Sequence, residues 1–222
     1  MANPQWEARM TDTILAYASV LRLSRADIKT LKIRDAYALH KVVYGLFEDV
    51  RSEAEKQAST ASGVVYADKG GDFNTRQILM VSDRKPHQTP QFGEVQTKPI
   101  HADFLAHERY AFEVTLNPGK RDKQTGKVVP IRGREAIEQW FKARAPESWG
   151  FTVNPENLQI GQLSVQVFEK AGTTVTHGSA ALMGELTVLD RARFIQSFTR
   201  GIGRGRAFGF GLLQIVALSS LS

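Results

Sequence analysis

The sequence predicts an α+β fold in which strand, helix, strand, strand, helix and strand follow one another twice. Three observations carry this expectation. Short β-branched and aromatic runs bounded by turn residues recur along the chain, amphipathic helical patterns fall between them, and the order seen in the first half returns in the second. A length of 222 residues suits two compact units. No repeat is visible at the level of residues, so the tandem organisation rests on element order alone.

In order, Asp12 to Ser24 forms an apolar run for a strand buried on at least one face. An amphipathic helix is expected from about Asp35, its N-cap, to Glu55. "SGVVYAD" and "TRQILMVSD" read as two strands joined through "KGGD". Arg84 to Glu94, with two prolines, reads as a loop or a degraded second helix, and "EVQTKPI" as an edge strand that tolerates Pro99 near its end. In the second half "RYAFEVTLNP" is a strand running into a turn, and "KRDKQTGK" a basic loop. "GREAIEQWFKARAPES" is a helix closed by Pro146. "LSVQVFEK" and "GELTVLD" read as partner strands, "DRARFIQSFTRG" as a helix and "GLLQIVAL" as the last strand. The twelve N-terminal residues read as an addition before the first strand.

Composition removes several classes of function. The chain has no cysteine, so disulfides, thiolate metal sites and a cysteine nucleophile are excluded. Apolar residues make up 42%, without a stretch near the length of a membrane span, and the N-terminus carries charges in place of an apolar signal region. A cytoplasmic protein with no membrane partner is expected. A net charge of +6 favours an anionic partner.

"RGIGRGRAFGFGLLQIV", Arg200 to Val216, places five glycines among three arginines. A dinucleotide fingerprint needs a strand before the glycines and a helix after them; here the order is reversed, and no lysine is placed for a Walker loop. Gly201 alone is explained as a helix C-cap. The rest exceeds what a cap requires. Bare amides at Gly203 and Gly205 beside Arg200, Arg204 and Arg206 form a candidate contact with a phosphate backbone.

The first helix carries two stripes. Leu39, Val42, Val43, Leu46, Phe47 and Val50 recur at steps of three and four and face a core. Tyr37, His40, Lys41 and Tyr44 form a second stripe expected to point away from it. A lone histidine is commonly structural or solvated, but two tyrosines and a lysine around one imidazole suit an RNA strand through stacking, phosphate attraction and proton transfer. Lys120, Arg121, Lys123 and Lys127, followed by Arg132 and Arg134, are a solvated loop on the plainer reading and a clamp on an RNA stem on the other. His101, Asp103 and His107 do not converge on one face, so no metal is expected there; His87 and His177 fall in loop-like sequence and receive no role.

The helix, the segment "GIGRGRAFGFGLL" and a terminal strand together resemble the glycine-rich loop of the CRISPR-associated repeat-binding proteins, whose fold is a pair of ferredoxin-like, RRM-like domains. "YALHKVVYGLF" (37–47) and "FEVTLNPGKRDKQTGKVVPI" (112–131) are similar to the CasE-type endoribonucleases that cut precursor CRISPR RNA. The likeness spans most of the chain and is loose from Arg84 to His107. It implies ferredoxin-like domains at 1–104 and 105–222. It further implies cleavage of repeat hairpins by 2′-hydroxyl attack without metal or cofactor, and companion effector-complex subunits. His40 would be the catalytic group, supported by Tyr37, with Lys41 or a basic residue of the glycine loop as the cation; Tyr44 would contact RNA. The alternative from another class is a non-catalytic RNA-binding subunit of such a complex.

Overall fold

The computed structural model describes residues 13–57, 61–72, 74–170 and 172–219; the expectations for the first twelve residues lie outside them. Two antiparallel sheets carry the fold. The first is made of β1 (Ile14–Ser24), β2 (Val64–Gly71), β3 (Thr75–Ser82) and β4 (Glu94–His101) in the order β2-β3-β1-β4. The second uses β5 (Arg109–Leu116), β8 (Phe151–Val153), β10 (Thr173–Val188) and β11 (Gln214–Ala217) in the order β11-β5-β10-β8, with β9 (Gln159–Lys170) also paired to β10. With the short strand β8 counted second in its unit, both sheets run fourth-first-third-second, the arrangement of a ferredoxin-like unit, here in tandem.

Three helices lie in the first unit: α1 (Arg25–Thr30), α2 (Ala36–Tyr44) and α3 (Glu53–Gln57). Asp35 caps α2 by accepting from the Ala38 amide at 2.8 Å. The long helix expected to reach Glu55 stops at Tyr44. Gly45 lowers helix propensity there, and the last turn tightens, with the Leu46 amide bonding to Val43 and that of Phe47 to Tyr44. The tightening turns Leu46 and Phe47 into the core but leaves Val50 63% exposed, off the stripe expected of it. No second helix forms between β3 and β4: Pro86, Pro90 and Gly93 break the segment, which runs as a loop. Pro99 is accommodated because β4 is an edge strand.

The second unit contains α4 (Arg134–Arg144) and α5 (Arg191–Arg200), the latter capped by Asp190. Pro146 does not close α4. The chain continues through a wide π-type turn, Ala145–Trp149, that accommodates the missing N–H and ends at left-handed Gly150. "LSVQVFEK" pairs with residues 173–180 in a long hairpin, while 184–188 pair with β5 and β8, so the expected partnership is corrected. The short loop after β9 makes the local hairpin register available to the first half of β10. The expected basic loop is itself a hairpin of β6 (Gly119–Arg121) and β7 (Val128–Pro130).

Strand periodicity divides the first sheet between two cores. Val64, Tyr66, Ile78 and Met80 pack with Leu39 and Val43 of α2. Val65, Ala67 and Val81 join the other core, shared with Phe112, Phe194 and Phe198 of the second unit. The first sheet is therefore buried on both faces, and its second cover comes from the second unit.

Candidate functional site

The stripe Tyr37, His40, Lys41 and Tyr44 lies on one face of α2, as its spacing predicts. It does not look out into open solvent. The chain from Gly201 to Gly211 folds back over it, and a short 3₁₀ turn, Arg206–Phe208, packs against α2 and β2. His40 Nδ1 is 2.8 Å from the Ala207 carbonyl oxygen. A carbonyl only accepts, so Nδ1 carries the proton and the neutral ring keeps its lone pair at Nε2. Nε2 is neither hydrogen-bonded nor buried without a partner, and so opens to solvent. The Tyr66 hydroxyl donates to the same Ala207 oxygen at 3.1 Å.

Aromatic rings surround the imidazole. Tyr44 lies at 4.2 Å between centroids, Phe208 at 5.5 Å and Tyr37, stacked, at 6.1 Å. Tyr44 is held in turn by its hydroxyl, which donates to Val64 at 3.3 Å. Burial against these rings lowers the His40 pKa below its ordinary 6.5; the Ala207 carbonyl opposes the shift, and the charges of Lys170, Lys41 and Arg51 add to it. Lys41 Nζ stands 4.5 Å from the Tyr37 ring centroid and Lys170 Nζ 5.6 Å from that of Phe208. A neutral imidazole with a free lone pair, flanked by two cations, can accept a proton beside a group that gains negative charge.

The glycine loop is built by its backbone. Gly201, Gly203, Gly205, Gly209 and Gly211 all take positive φ. At Gly211 a Cβ would lie 2.1 Å from the Ile202 oxygen, and at Gly201 2.7 Å from Val65 Cγ2. Its arginines divide by role. The Arg206 guanidinium turns back onto the carbonyls of Arg200, at 3.0 Å, and Gly201, so it closes the end of α5 instead of reaching outward as expected. Arg200 and Arg204 are exposed with no hydrogen bond or ion pair from their side chains among the described residues. Leu116 and Asn117, at the end of β5, lie beside Gly203 and Gly205, so the basic hairpin springs from next to the loop.

On that hairpin Lys120, Lys123 and Lys127 are exposed, and Arg121 donates to the Gly126 carbonyl at 2.8 Å. Arg132 is exposed. Arg134 is engaged: its guanidinium bonds to the carbonyls of Ile160 and Gly161, tying α4 to β9, which corrects its expected place in an RNA clamp. His177 lies in β10, not in a loop, packed on Phe208 and Phe210 with Nδ1 buried and unpartnered, and burial lowers its pKa. Among the described residues no three potential metal-ligating side chains cluster, and no helix is long and apolar enough to cross a membrane.

Ala207, Phe208, Tyr66 and Lys170 escape a reading of the sequence. Ala207 and His40 are 167 residues apart, and nothing local in an alanine announces its carbonyl. Lys170 carried a weak signal as the lone cation ending an apolar strand.

The comparisons with known proteins come from sequence and from shape. A stretch of 127 residues is 28% identical to the CRISPR-associated endoribonuclease Cse3 of Thermus thermophilus, covering 53% of this chain and 60% of that protein's length. The structure of CRISPR endoribonuclease Cse3 bound to 19 nt RNA has the same fold, with a TM-score of 0.74 at 21% identity over 90% of this chain and 99% of the other. A chain of a CRISPR RNA-guided surveillance complex also shares it, with a TM-score of 0.65 at 20% identity over 91% of this chain and 100% of that one. The model of the CRISPR associated protein family matches residues 16–216, and the chain belongs to that family.

Proposed function

We propose that the protein is an endoribonuclease that binds the hairpins of CRISPR repeat RNA and cuts the precursor into mature crRNA. The observation that supports this best is the imidazole of His40, whose Nδ1–H is committed to Ala207 while Nε2 is left without a hydrogen-bond partner, with Lys41 and Lys170 held against its neighbours Tyr37 and Phe208. RNA brings its own nucleophile. The 2′-hydroxyl beside the scissile phosphate loses its proton to His40 Nε2, and its oxygen bonds to phosphorus as the bond to the 5′-oxygen breaks. The leaving oxygen takes a proton from the imidazolium or from water. A 2′,3′-cyclic phosphate and a 5′-hydroxyl result.

The protein supplies alignment, proton movement and charge. Tyr37 is the stacking neighbour that orients the sugar or phosphate. Lys170 joins Lys41 as candidate for the cation that offsets the extra charge on the phosphorane, and the weaker claim of the glycine loop follows from Arg206 being turned away. The exposed Arg200 and Arg204, the backbone at Gly203 and Gly205, and the hairpin lysines Lys120, Lys123 and Lys127 grip the stem, with Arg121 and Arg132 beside them. Units at 1–104 and 105–222 divide the labour, catalysis on the first and stem binding on the second. After cleavage the protein works as a subunit of a CRISPR effector complex.

The half-buried ring of His40 favours one other reading, a packing histidine in a non-catalytic RNA-binding subunit. Repeat RNA incubated with pure protein and EDTA separates the two. Cleavage by the wild type, with products carrying a cyclic phosphate, is expected. His40→Ala should lower the rate at least a thousandfold while repeat affinity changes less than threefold. Undiminished cutting by that variant would end the nuclease assignment to this site.

A further inference from the structure

A second concavity adjoins the site on the other side of α2. It is a cleft of about 950 Å³ between α2 and the loop that replaces the second helix of the first unit. Tyr37 and Lys41 line it, so the two residues flanking His40 on one side are also its wall. Leu31 and Phe92 give an apolar floor, and Lys32 and His87 bring basic groups to it. Asp35 is present too, but its carboxylate is bound to the amide of Ala38 at the N-terminus of α2.

The cleft is built in advance of any ligand. The His87 amide donates to the Leu46 carbonyl at 2.8 Å, and the Arg84 guanidinium to the Glu48 carbonyl at 2.9 Å. At the far end of the loop Gly93 lies so close to β1 that a Cβ would come within 2.5 Å of the Arg22 oxygen. Lys32 has φ 52, and among the described residues it alone is left-handed without being glycine.

On the proposed nuclease reading, an RNA strand must leave His40 in two directions. The glycine loop packs on α2 through Arg206–Phe208, the basic hairpin springs from beside that loop, and on this reading the two take the stem. We infer that the cleft between α2 and residues 87–92 binds the single-stranded RNA that continues beyond the scissile phosphate, stacking a base on Phe92 and Tyr37 and pairing its phosphates with Lys32 and His87. Single strands are held by this combination of stacking surface and basic, hydrogen-bonding groups. A protein segment would use the apolar floor but leave the basic rim without a counterpart.

The test uses two hairpins made uncleavable by a 2′-deoxy sugar at the scissile position, one ending there and one continued by several nucleotides. Fluorescence anisotropy gives their affinities. The wild type should bind the longer RNA at least fivefold more tightly, and Lys32→Gly/His87→Ser/Phe92→Ser should lose that preference while binding the shorter RNA as before. Lys32→Gly alone suits the left-handed backbone, keeps the fold, and should reduce the salt slope of binding by about 0.7 for the longer RNA only. Equal wild-type affinities, or a variant weakened alike on both RNAs, would overturn the inference. Failure to cut the corresponding all-ribose RNAs would sink the nuclease reading alone, because binding still decides the cleft.

Discussion

At the scale of single residues, the tautomer of His40 is set by a carbonyl in place of the carboxylate that often orients a catalytic imidazole. The difference has a consequence for pH. An accepting carboxylate would raise the histidine's pKa, whereas here burial lowers it from 6.5 and the cations Lys170, Lys41 and Arg51 push the same way. Near neutrality Nε2 is ready to accept a proton. Single-turnover cleavage should therefore rise with pH to a plateau, with a midpoint below 6.5, and a midpoint above 7 would contradict the role of His40 as base. Stability follows the same shift. Between 6.5 and the depressed value the unfolded chain binds more protons at His40 and His177 than the folded one. The histidine contribution is thus fully present above 6.5 and lost as the pH falls through the folded values, which urea midpoints across that window would show. The residue types of the stripe were legible from spacing alone. Which arginines are available was not, because Arg134 and Arg206 are occupied by carbonyls that only the folded chain brings to them.

At the scale of elements, α2 and the glycine loop form one device. The helix presents the imidazole; the loop, held by Gly211 and Gly201 against Ile202 and Val65, presents the carbonyl that fixes it. Gly211→Ala would place a Cβ on the Ile202 oxygen at a φ of 83° and should cost about 2 kcal/mol or more in thermal or urea unfolding. It should also slow cleavage beyond its effect on RNA binding, since the ring loses its anchor. A smaller change probes the shared acceptor. Tyr66→Phe removes the second donor to the Ala207 oxygen, leaves the packing nearly intact and should cost about 1 kcal/mol of stability with a drop in kcat rather than a rise in KM. The helix was visible in the sequence as far as Tyr44. Its true end was hidden because the apolar stripe persists through Leu46 and Phe47, which reach the same core by a tightened turn.

At the scale of the molecule, the two units are not independent. One continuous apolar core contains Val65, Ala67 and Val81 from the first sheet together with Phe112, Phe194 and Phe198 from the second unit. Phe194→Ala, in the middle of that core, should cost about 3–5 kcal/mol and lower a single unfolding transition; two separate transitions would show that the units fold apart. The surface ion pair Lys69–Glu113, at 2.7 Å, joins the units as well, but exposed pairs contribute little. The site itself spans this junction, with the imidazole on one unit and its anchor on the other.

The sequence by itself determined the strand–helix–strand–strand core of the first unit, though not the loss of its second helix or the place of β8 in the second, together with the side of α2 that carries Tyr37, His40, Lys41 and Tyr44 and the need for glycine through 201–211, because periodicity and backbone freedom are local properties. Tertiary structure alone decided that Ala207 holds the ring, that Phe208 and Lys170 stand beside it, and that Arg134 and Arg206 are bound to backbone carbonyls. Those outcomes depend on contacts between residues far apart in the chain, which exist only once the second unit has closed over the first.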